Sequence, residues 1–202
     1  MSGLKIVVFL GSTREGRQGE QVAKTITEML KAKGHEVEIF DPLTLGGDGH
    51  VHQPLQFYKD LTKAPEWQRN ANQKVVDAQG YVVVTCEYNC QLPPGLTSTM
   101  DQFPPASYRH KPCSIISYSM GPFGGVRAAA LARPFLSEFG MITTPTSCTI
   151  PQIQDKFSEG KCTEDRVTKN MDKVVAELTW YGTAIAEKTK ADGVPTPAPE
   201  LY

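Results

Sequence analysis

The chain has 202 residues and a formal net charge of −1, from 21 basic and 22 acidic residues. This length is most simply that of one domain with its own core, and the near-zero charge argues against nucleic acid or an anionic membrane as the main partner. Five cysteines with irregular spacing are typical of reduced thiols rather than of a disulfide framework or a zinc site. We find no cleavable signal pattern and no apolar run of about eighteen residues. We therefore expect a cytoplasmic protein that binds neither nucleic acid nor membrane.

Strands and helices alternate along the sequence. Apolar runs predict strands at Lys5–Leu10, His35–Phe40, Gly80–Thr85, Cys113–Tyr118 and Met141–Ile150. Apolar residues at helical spacing predict helices at Gln18–Lys33, Trp67–Ala78, Gly125–Phe139 and Glu164–Thr189. Pro145 within the last strand indicates an edge position or a break. The alternation predicts an α/β fold whose parallel sheet is covered by helices on both faces, with ligands bound beyond the carboxyl ends of the strands.

We expect one domain over residues 1–190 and a flexible tail over 191–202, a segment that contains three prolines. The segment Leu43–Pro65 is rich in turn-forming residues and predicts an irregular excursion. Within it, Asp48, His50 and His52 have the composition of a metal cluster, but no fourth ligand lies nearby. We interpret them as a surface loop and predict no metal site.

The segment Gly11–Gly19 joins the first strand to the first helix. A strand-to-helix turn of this kind points backbone N–H groups and the positive end of a helix at its ligand. Its polar side chains suit a phosphate, and they are Ser12, Arg14, Arg17 and Gln18. A P-loop would carry Gly-Lys-Ser/Thr, and the dinucleotide fingerprint would need glycine at position 13, which is Thr13. A monophosphate such as FMN fits better, and a solvated turn with two surface arginines is the alternative.

Polar and glycine-rich segments also follow the third and fourth predicted strands. Glu87, Tyr88 and Asn89 follow the third strand. The segment after the fourth strand contains Ser119, Met120, Gly121, Phe123, Gly124 and Gly125. Glycines there let the backbone approach a flat ring. Each segment alone is more often a simple turn, but all three together at the ligand edge of one sheet predict a site for a planar, phosphate-bearing cofactor.

These motifs resemble the NADPH-dependent FMN reductase family, flavodoxin-like enzymes that include quinone, azo-dye and chromate reductases, over roughly residues 4 to 185. The residues that carry the resemblance are Gly11-Ser12-x-Arg14-x-x-Arg17, Glu87-Tyr88-Asn89 with Pro94-Gly95-Leu96 and Asp101, and Gly121-x-x-Gly124-Gly125-x-x-Ala128. The resemblance implies a five-stranded parallel sheet in the order 2-1-3-4-5 with helices on both faces.

The resemblance also implies roles for individual residues. Ser12, Arg14, Arg17 and Gln18 are expected to bind the FMN phosphate, whereas Glu87, Tyr88, Asn89, Ser119, Met120, Gly121, Phe123, Gly124 and Gly125 are expected to line the rest of the cofactor. The chain departs from many relatives at Arg17, Cys86 and Thr97, where serine, proline and lysine are common. Cys86 leaves two interpretations open, a thiol near the flavin or a buried structural thiol.

The implied activity is that of an FMN-dependent oxidoreductase. It would pass hydride from NADPH (or NADH) through FMN to a quinone-like, azo or other small acceptor by a ping-pong cycle. We predict no catalytic residue because the cofactor supplies that chemistry. Arg127 and Tyr88 are expected to bind substrate, and the arginine that reads the 2′-phosphate of NADPH is expected among Arg14, Arg17, Arg109 and Arg127.

Relatives of this kind are dimers or tetramers, so we expect a homodimer or homotetramer with the helix around Thr97–Phe103 at the interface. Two alternatives remain open. The first is a flavodoxin-like electron carrier or flavin-binding sensor without nicotinamide turnover. The second is a nucleotide-binding or regulatory domain that holds a phosphate ligand without redox chemistry.

Overall fold

Five parallel strands form the central sheet of the computed structural model, which describes residues 3–158 and 160–195. They are β1 (Lys5–Leu10), β2 (Glu36–Phe40), β3 (Gly80–Cys86), β4 (Pro112–Tyr118) and β5 (Ile142–Ile150). Their order is β2-β1-β3-β4-β5, which confirms the predicted flavodoxin-like topology. The strand order reverses between β1 and β3, so the switch point at which such sheets bind ligands lies at the carboxyl ends of these two strands.

The helices are α1 (Gly19–Ala32), α2 (Glu66–Asp77), α3 (Pro94–Met100), α4 (Pro105–Tyr108), α5 (Val126–Glu138) and α6 (Asp165–Asp192). Sequence periodicity predicts α1, α2, α5 and α6 to within three residues at each end. It misses α4 and an antiparallel hairpin formed by β6 (Phe157–Ser158) and β7 (Lys161–Cys162), because elements this short carry no period. None of the helices in the described ranges is long and apolar enough to span a membrane.

The predicted end of the domain falls inside α6. The helix continues to Asp192, three residues past its predicted end, so the first residues of the predicted tail 191–202 are helical. Gly193 follows the helix with a positive φ, which is typical of a helix stop. Residues 196–202 of the predicted tail lie outside the described part of the chain.

The three central strands β1, β3 and β4 are buried on both faces, as their apolar runs predict. Alternate residues of β1 point to opposite faces. Ile6 and Val8 pack in a cluster with residues of α1 and α6, whereas Val7 and Phe9 pack in a second cluster with residues of α2, α3 and α5. The strands are therefore held between two helical layers, and their carboxyl ends are left as the place where loops meet.

Pro145 lies within β5, and β5 is an edge strand. The pairing of β4 with β5 shifts register between Cys113 and Ile115, where β5 contains the proline. Proline cannot donate to a ladder of hydrogen bonds, so a bulged edge strand tolerates it. Arg133 of α5 braces this bulge, because its guanidinium donates to the carbonyl oxygens of Thr144 and Pro145, each at 3.1 Å. Of the two alternatives predicted for this proline, the edge position is confirmed, and the strand is bulged but not broken.

The segment Leu43–Pro65 is irregular apart from two short 3₁₀ helices, Leu55–Phe57 and Leu61–Lys63. Buried Leu55 anchors it, and its N–H donates to the carbonyl oxygen of Gln102 at 3.0 Å. His52 pairs with Asp48 at 2.8 Å on the exposed surface. Within residues 3–158 and 160–195, no group of three or more His, Cys, Asp and Glu side chains is placed to hold a metal ion.

The segment predicted as an oligomer interface packs mainly into its own chain. α3 begins at Pro94, before the predicted helix around Thr97–Phe103. Leu96, Met100 and Phe103 are fully buried in the same core cluster as Phe9. Thr97 and Ser98 are half-buried, so an interface here would rest on polar side chains, and the interface stays a prediction.

Candidate functional site

A cavity of about 470 Å³ opens at the carboxyl ends of β1, β3 and β4. We call it the carboxyl-edge cavity. The predicted site residues that line it are Ser12, Arg14, Arg17, Gln18, Glu87, Tyr88, Ser119, Met120, Gly121, Phe123, Gly125 and Arg127. Its volume falls in the range of roughly 300–1,000 Å³ that is usual for cofactor and small-molecule sites. The fold therefore brings together three segments that are far apart in the sequence.

Asn89 and Gly124, the other two predicted residues, do not line the cavity but shape its loops. Asn89 and Cys90 have φ values of 51° and 66° and form a tight turn, in which Tyr88 and Gln91 exchange both backbone hydrogen bonds. Gly124 has a φ of 63°, and a Cβ atom there would stand 3.0 Å from the backbone nitrogen of Pro151. The end of β5 is therefore a reason in itself for glycine at this position, and contact of Gly124 with a ring stays a prediction.

The Arg17 side chain is only 5% exposed, and its charge is already compensated within the chain. Its guanidinium grips both carboxylate oxygens of Asp41, and it also donates to Glu20 at 2.8 Å and to the carbonyl oxygen of Ser12 at 2.7 Å. Burial alone would lower the pKa of Arg17, but the hydrogen bonds that it donates to Asp41 and Glu20 raise the pKa above its usual value. The sequence predicts that Arg17 binds a phosphate. In the structure its ion pair with Asp41 connects the first loop to the end of β2.

Asp41 caps the turn that follows β2. Its Oδ1 accepts the N–H of Leu43 at 2.9 Å, directly after β2. The same carboxylate holds Arg17, which no local pattern predicts because the two residues are 24 positions apart.

Arg14 is the arginine of the first loop that has no carboxylate partner among the described residues. Its guanidinium carbon lies 3.8 Å from the ring centroid of Tyr88, in a cation–π arrangement. The Tyr88 hydroxyl and the Ser12 hydroxyl share a hydrogen bond of 2.7 Å. Tyr88 therefore links the loop after β3 to the loop after β1, and it holds an uncompensated positive charge over the cavity.

Glu87 caps the N-terminus of α5. Its Oε2 accepts the backbone N–H groups of Arg127 and Ala128 at 3.1 and 3.4 Å, and its Oε1 forms an ion pair with the Arg127 guanidinium. Desolvation would raise the pKa of Glu87, but the bonds from Arg127 and Ala128 lower it below its usual value. The carboxylate was expected to line the cofactor, and it also fixes the helix that carries Arg127, whose side chain is 54% exposed at the rim.

Two residues at the floor of the cavity, Cys86 and Tyr118, are 6% and 5% exposed. Desolvation raises the pKa of both groups, so the Cys86 thiol stays protonated at neutral pH. The Tyr118 hydroxyl has no hydrogen-bond partner in the described structure, and it stands so close to Gly19 that a Cβ atom there would clash with it. Tyr118 was not predicted as a site residue. Its position as the last residue of β4, at the edge of the sheet that binds ligands, is the signal that could have indicated it.

Arg109 lies far from this cavity. It precedes β4, at the opposite edge of the sheet, and lines a different cavity. Its prediction as a candidate for the 2′-phosphate of NADPH is therefore wrong, because parallel strands place the residues before and after a strand at opposite edges.

The donors around the first loop fit a phosphate group. α1 begins at Gly19 without a side-chain cap, so backbone N–H groups of its first turn remain available beside the Ser12 hydroxyl and the Arg14 guanidinium. The unpartnered Tyr118 hydroxyl beneath the loop adds a further polar group to the same place. On the far side, the glycine-rich segment and Tyr88 offer backbone and aromatic surface to a flat ring. A mononucleotide with a planar ring, such as FMN, matches this set of donors.

Fold and cavity define a flavodoxin-like α/β protein with a cavity at the switch point of its sheet, where such proteins bind ligands. The chain belongs to the NADPH-dependent FMN reductase family, whose model matches residues 4–155. It is therefore an NAD(P)H-dependent oxidoreductase of the FMN reductase type, with FMN and a nicotinamide nucleotide as its cofactors.

Individual relatives agree with this assignment. The chain is 32% identical to a quinone reductase of Escherichia coli over 141 residues, which are 66% of this chain and 69% of that one. It is 29% identical to an NAD(P)H-dependent FMN reductase of Schizosaccharomyces pombe over 163 residues, 77% of each chain. Its fold matches that of FerB, a flavoenzyme NAD(P)H:(acceptor) oxidoreductase from Paracoccus denitrificans, with a TM-score of 0.70 and 20% identity over 90% of this chain and 98% of FerB.

Proposed function

We propose that this protein transfers electrons from NADPH (or NADH) through bound FMN to a quinone-like, azo or other small acceptor by a ping-pong cycle. The observation that carries the proposal is the convergence of the loops after β1, β3 and β4 on one cavity with phosphate donors at one side and ring-sized surface at the other. The similarity to a quinone reductase supports the choice of acceptor class.

Residues of the first loop would hold the phosphate end of the cofactor. Arg14 supplies a charge that the protein itself does not neutralise, and Ser12 and the N-terminus of α1 supply hydrogen-bond donors. Arg17 acts indirectly, because its ion pair with Asp41 keeps the loop in the conformation that exposes these donors. In this proposal Gln18, whose side chain donates to the carbonyl oxygen of Gly16 at 3.3 Å, shapes the same turn.

Residues of the other two loops would position the ring. Bound FMN supplies the hydride chemistry of both half-reactions. The segment Met120–Gly125 would place backbone N–H groups near the ring edge, where donors stabilise negative charge as it develops. Met120 and Phe123 are 59% and 65% exposed at the rim. Their apolar surface suits the stacking of a planar nicotinamide or acceptor, and Arg127 beside them offers a cation to its phosphates.

We also propose a homodimer or homotetramer. Support comes from the exposed apolar side chains of Met120, Phe123 and Val126 beside the cavity, which a second subunit would cover. Light scattering coupled to gel filtration measures this directly. A mass equal to one chain at micromolar concentration would contradict the proposal without affecting the assignment of the cavity.

The central experiment is the visible absorption spectrum of the purified protein before and after NADPH is added without oxygen. Flavin bands that bleach on addition of NADPH and return when a quinone is added would establish both half-reactions. Parallel lines in double-reciprocal plots of initial rate, with NADPH and quinone varied, would establish the ping-pong order. Flavin bands that remain would indicate an electron carrier or sensor reduced by another protein. A colourless protein that takes up no added FMN would overturn the assignment of all three loops.

A further inference from the structure

A second cavity, of about 350 Å³, lies at the opposite edge of the sheet. We call it the amino-edge cavity. It is bounded by the residues that follow α2, by those that precede β4, and by the last turns of α6. Its lining includes the apolar side chains of Ile185 and Val194 and the basic side chains of Arg109, His110, Lys111 and Lys190.

The positive charge of this lining exceeds its negative charge. Asp77 is the acidic residue in the described lining, and its carboxylate faces Lys5 at 3.8 Å on the protein surface. Arg109 and Lys190 have no carboxylate within salt-bridge distance among the described residues. The cavity therefore presents cations that no carboxylate of the described residues neutralises, beside apolar side chains.

Lys111 contributes a buried charge that is held by neutral groups. Its ammonium donates to the carbonyl oxygens of Val75, Val76 and Ser107 at 2.7–2.9 Å. Burial lowers the pKa of Lys111 to about 8, so the group keeps its proton at neutral pH. Carbonyl oxygens solvate the ammonium but carry no full charge, and its field remains available to a nearby anion.

Two nitrogen atoms of the lining residues are buried without partners. Arg109 Nε and His110 Nε2 have no hydrogen-bond partner in the described structure. A buried polar group without a partner costs about 1–3 kcal/mol, so native proteins rarely keep one without a reason. Both atoms have almost no accessible surface, so an acceptor on a ligand would reach them only if these side chains shift on binding.

Backbone strain also points to this place. Among the described residues, four that are not glycine have a positive φ. Asn89, Cys90 and Gln152 belong to loops at the carboxyl edge, next to residues that line the carboxyl-edge cavity. The fourth is His110, with a φ of 64°, at the amino-edge cavity. Residues held in this conformation cluster at ligand sites, because the surroundings must compensate for the strain.

We propose that the amino-edge cavity binds a small organic anion, a carboxylate or phosphate carried on a compact apolar body. The anionic group would lie among Arg109, His110 and Lys190, and the apolar body would lie against Ile185 and Val194. The volume fits a ligand of this size. This site is separate from the flavin cavity and does not depend on the proposed redox function.

The test uses 8-anilinonaphthalene-1-sulfonate, an aromatic anion whose fluorescence rises on binding, with the protein saturated with FMN so that the carboxyl-edge cavity is not available. We expect saturable binding at one site per chain and displacement by benzoate. Benzamide has the same shape without the charge, and it should displace the probe at least about tenfold less well because it lacks the charge-assisted bonds. Equal displacement by the two compounds, or no saturable binding, would overturn the proposal.

Variants locate the site. Lys190 is exposed on α6, so Lys190→Glu should leave the fold intact and weaken binding of the probe and of benzoate about tenfold. Ala186→Phe would fill the cavity and should abolish binding. Lys173→Glu makes the same charge change on an exposed position of α6 outside the cavity, and it should leave binding unchanged. Binding that is unchanged in Lys190→Glu and Ala186→Phe would show that the probe lies elsewhere, which contradicts the proposal.

Discussion

Charged side chains at the two edges of the sheet differ in whether they have carboxylate partners. At the carboxyl edge, Arg17 is paired with Asp41 and Glu20, and Arg127 with Glu87, so that Arg14 remains as the uncompensated cation. At the amino edge, Arg109 and Lys190 have no carboxylate partner in the described structure, and Lys111 donates to neutral groups, three carbonyl oxygens and the hydroxyl of Tyr81.

The difference separates two uses of charge. An arginine gripped by a carboxylate fixes the position of a loop, because bidentate geometry restrains both partners. A cation without such a partner contributes little to the position of the backbone but attracts an anion from solution. The loops at the carboxyl edge are therefore fixed by ion pairs before a ligand binds, and Arg14 remains there to attract an anion. The amino edge keeps most of its positive charge free.

The largest expected effect is on stability at the carboxyl edge. Arg17→Ala would leave the carboxylate of Asp41, 17% exposed, without its partner. Loss of one member of a buried ion pair costs about 4 kcal/mol, and we expect a decrease of that order in the free energy of unfolding measured with urea. Arg14→Ala is the matched control and should change this free energy by less than about 0.5 kcal/mol. Equal decreases in the free energy of unfolding of the two variants would contradict the inference that Arg17 stabilises the fold and Arg14 does not.

The pH dependence of the free energy of unfolding tests whether Lys111 is a buried charge at the amino edge. Its pKa is lowered by burial from 10.5 to about 8, so the unfolded chain binds more protons than the folded protein between these values. The free energy of unfolding therefore rises with pH in this window, by about 3 kcal/mol in total. Lys111→Met lacks this titration. The difference in unfolding free energy between wild type and variant should move in favour of the wild type from pH 7.5 to pH 10, and a constant difference would contradict a buried charge at this position.

The Arg14→Ala variant tests the role of this arginine in ligand binding, since we expect little effect on stability. Because its charge is not used inside the protein, Arg14→Ala should raise the dissociation constant of FMN about tenfold. Riboflavin, which lacks the phosphate, should bind wild type and variant equally. Titration of flavin fluorescence measures both constants, and Arg166→Ala on the exposed surface of α6 serves as the control. If the affinity for riboflavin falls as much as that for FMN, Arg14 does not act on the phosphate.

The smallest expected effect is at the cap of α5. Glu87→Gln keeps the shape of the side chain but removes the charge that pairs with Arg127 and faces the helix N-terminus, which costs about 1 kcal/mol. The pKa of Glu87 is lowered in the folded protein, so this stability is present above its unfolded pKa of about 4.5 and is lost as pH falls through the folded value. The difference in melting temperature between wild type and variant should be larger at pH 6.5 than at pH 3.5.

The sequence was sufficient for most of the fold. Continuous apolar runs such as Lys5–Leu10 predict strands buried on both faces, and the periods of α1, α2, α5 and α6 predict helices that cover them. The same patterns place the loops that begin at Gly11, Glu87 and Ser119 at one edge, because parallel strands end there together. Short elements such as α4 lie below the length at which a period can be recognised.

The pairing of charges could not be predicted in the same way. The motif around Arg14 and Arg17 presents two equivalent arginines, and only the position of Asp41 at the end of β2 makes one structural and leaves the other free. From the sequence, Glu87 is interpreted as a carboxylate that faces the ligand. In the structure it also caps the N-terminus of α5, where Arg127 lies 40 residues away along the chain. The sequence therefore determined the fold class, the family and the location of the cofactor cavity, since these depend on local periods and on motifs within single loops. The tertiary structure decided which charges remain for ligands at either edge, because ion pairs form between segments whose separation along the chain carries no pattern.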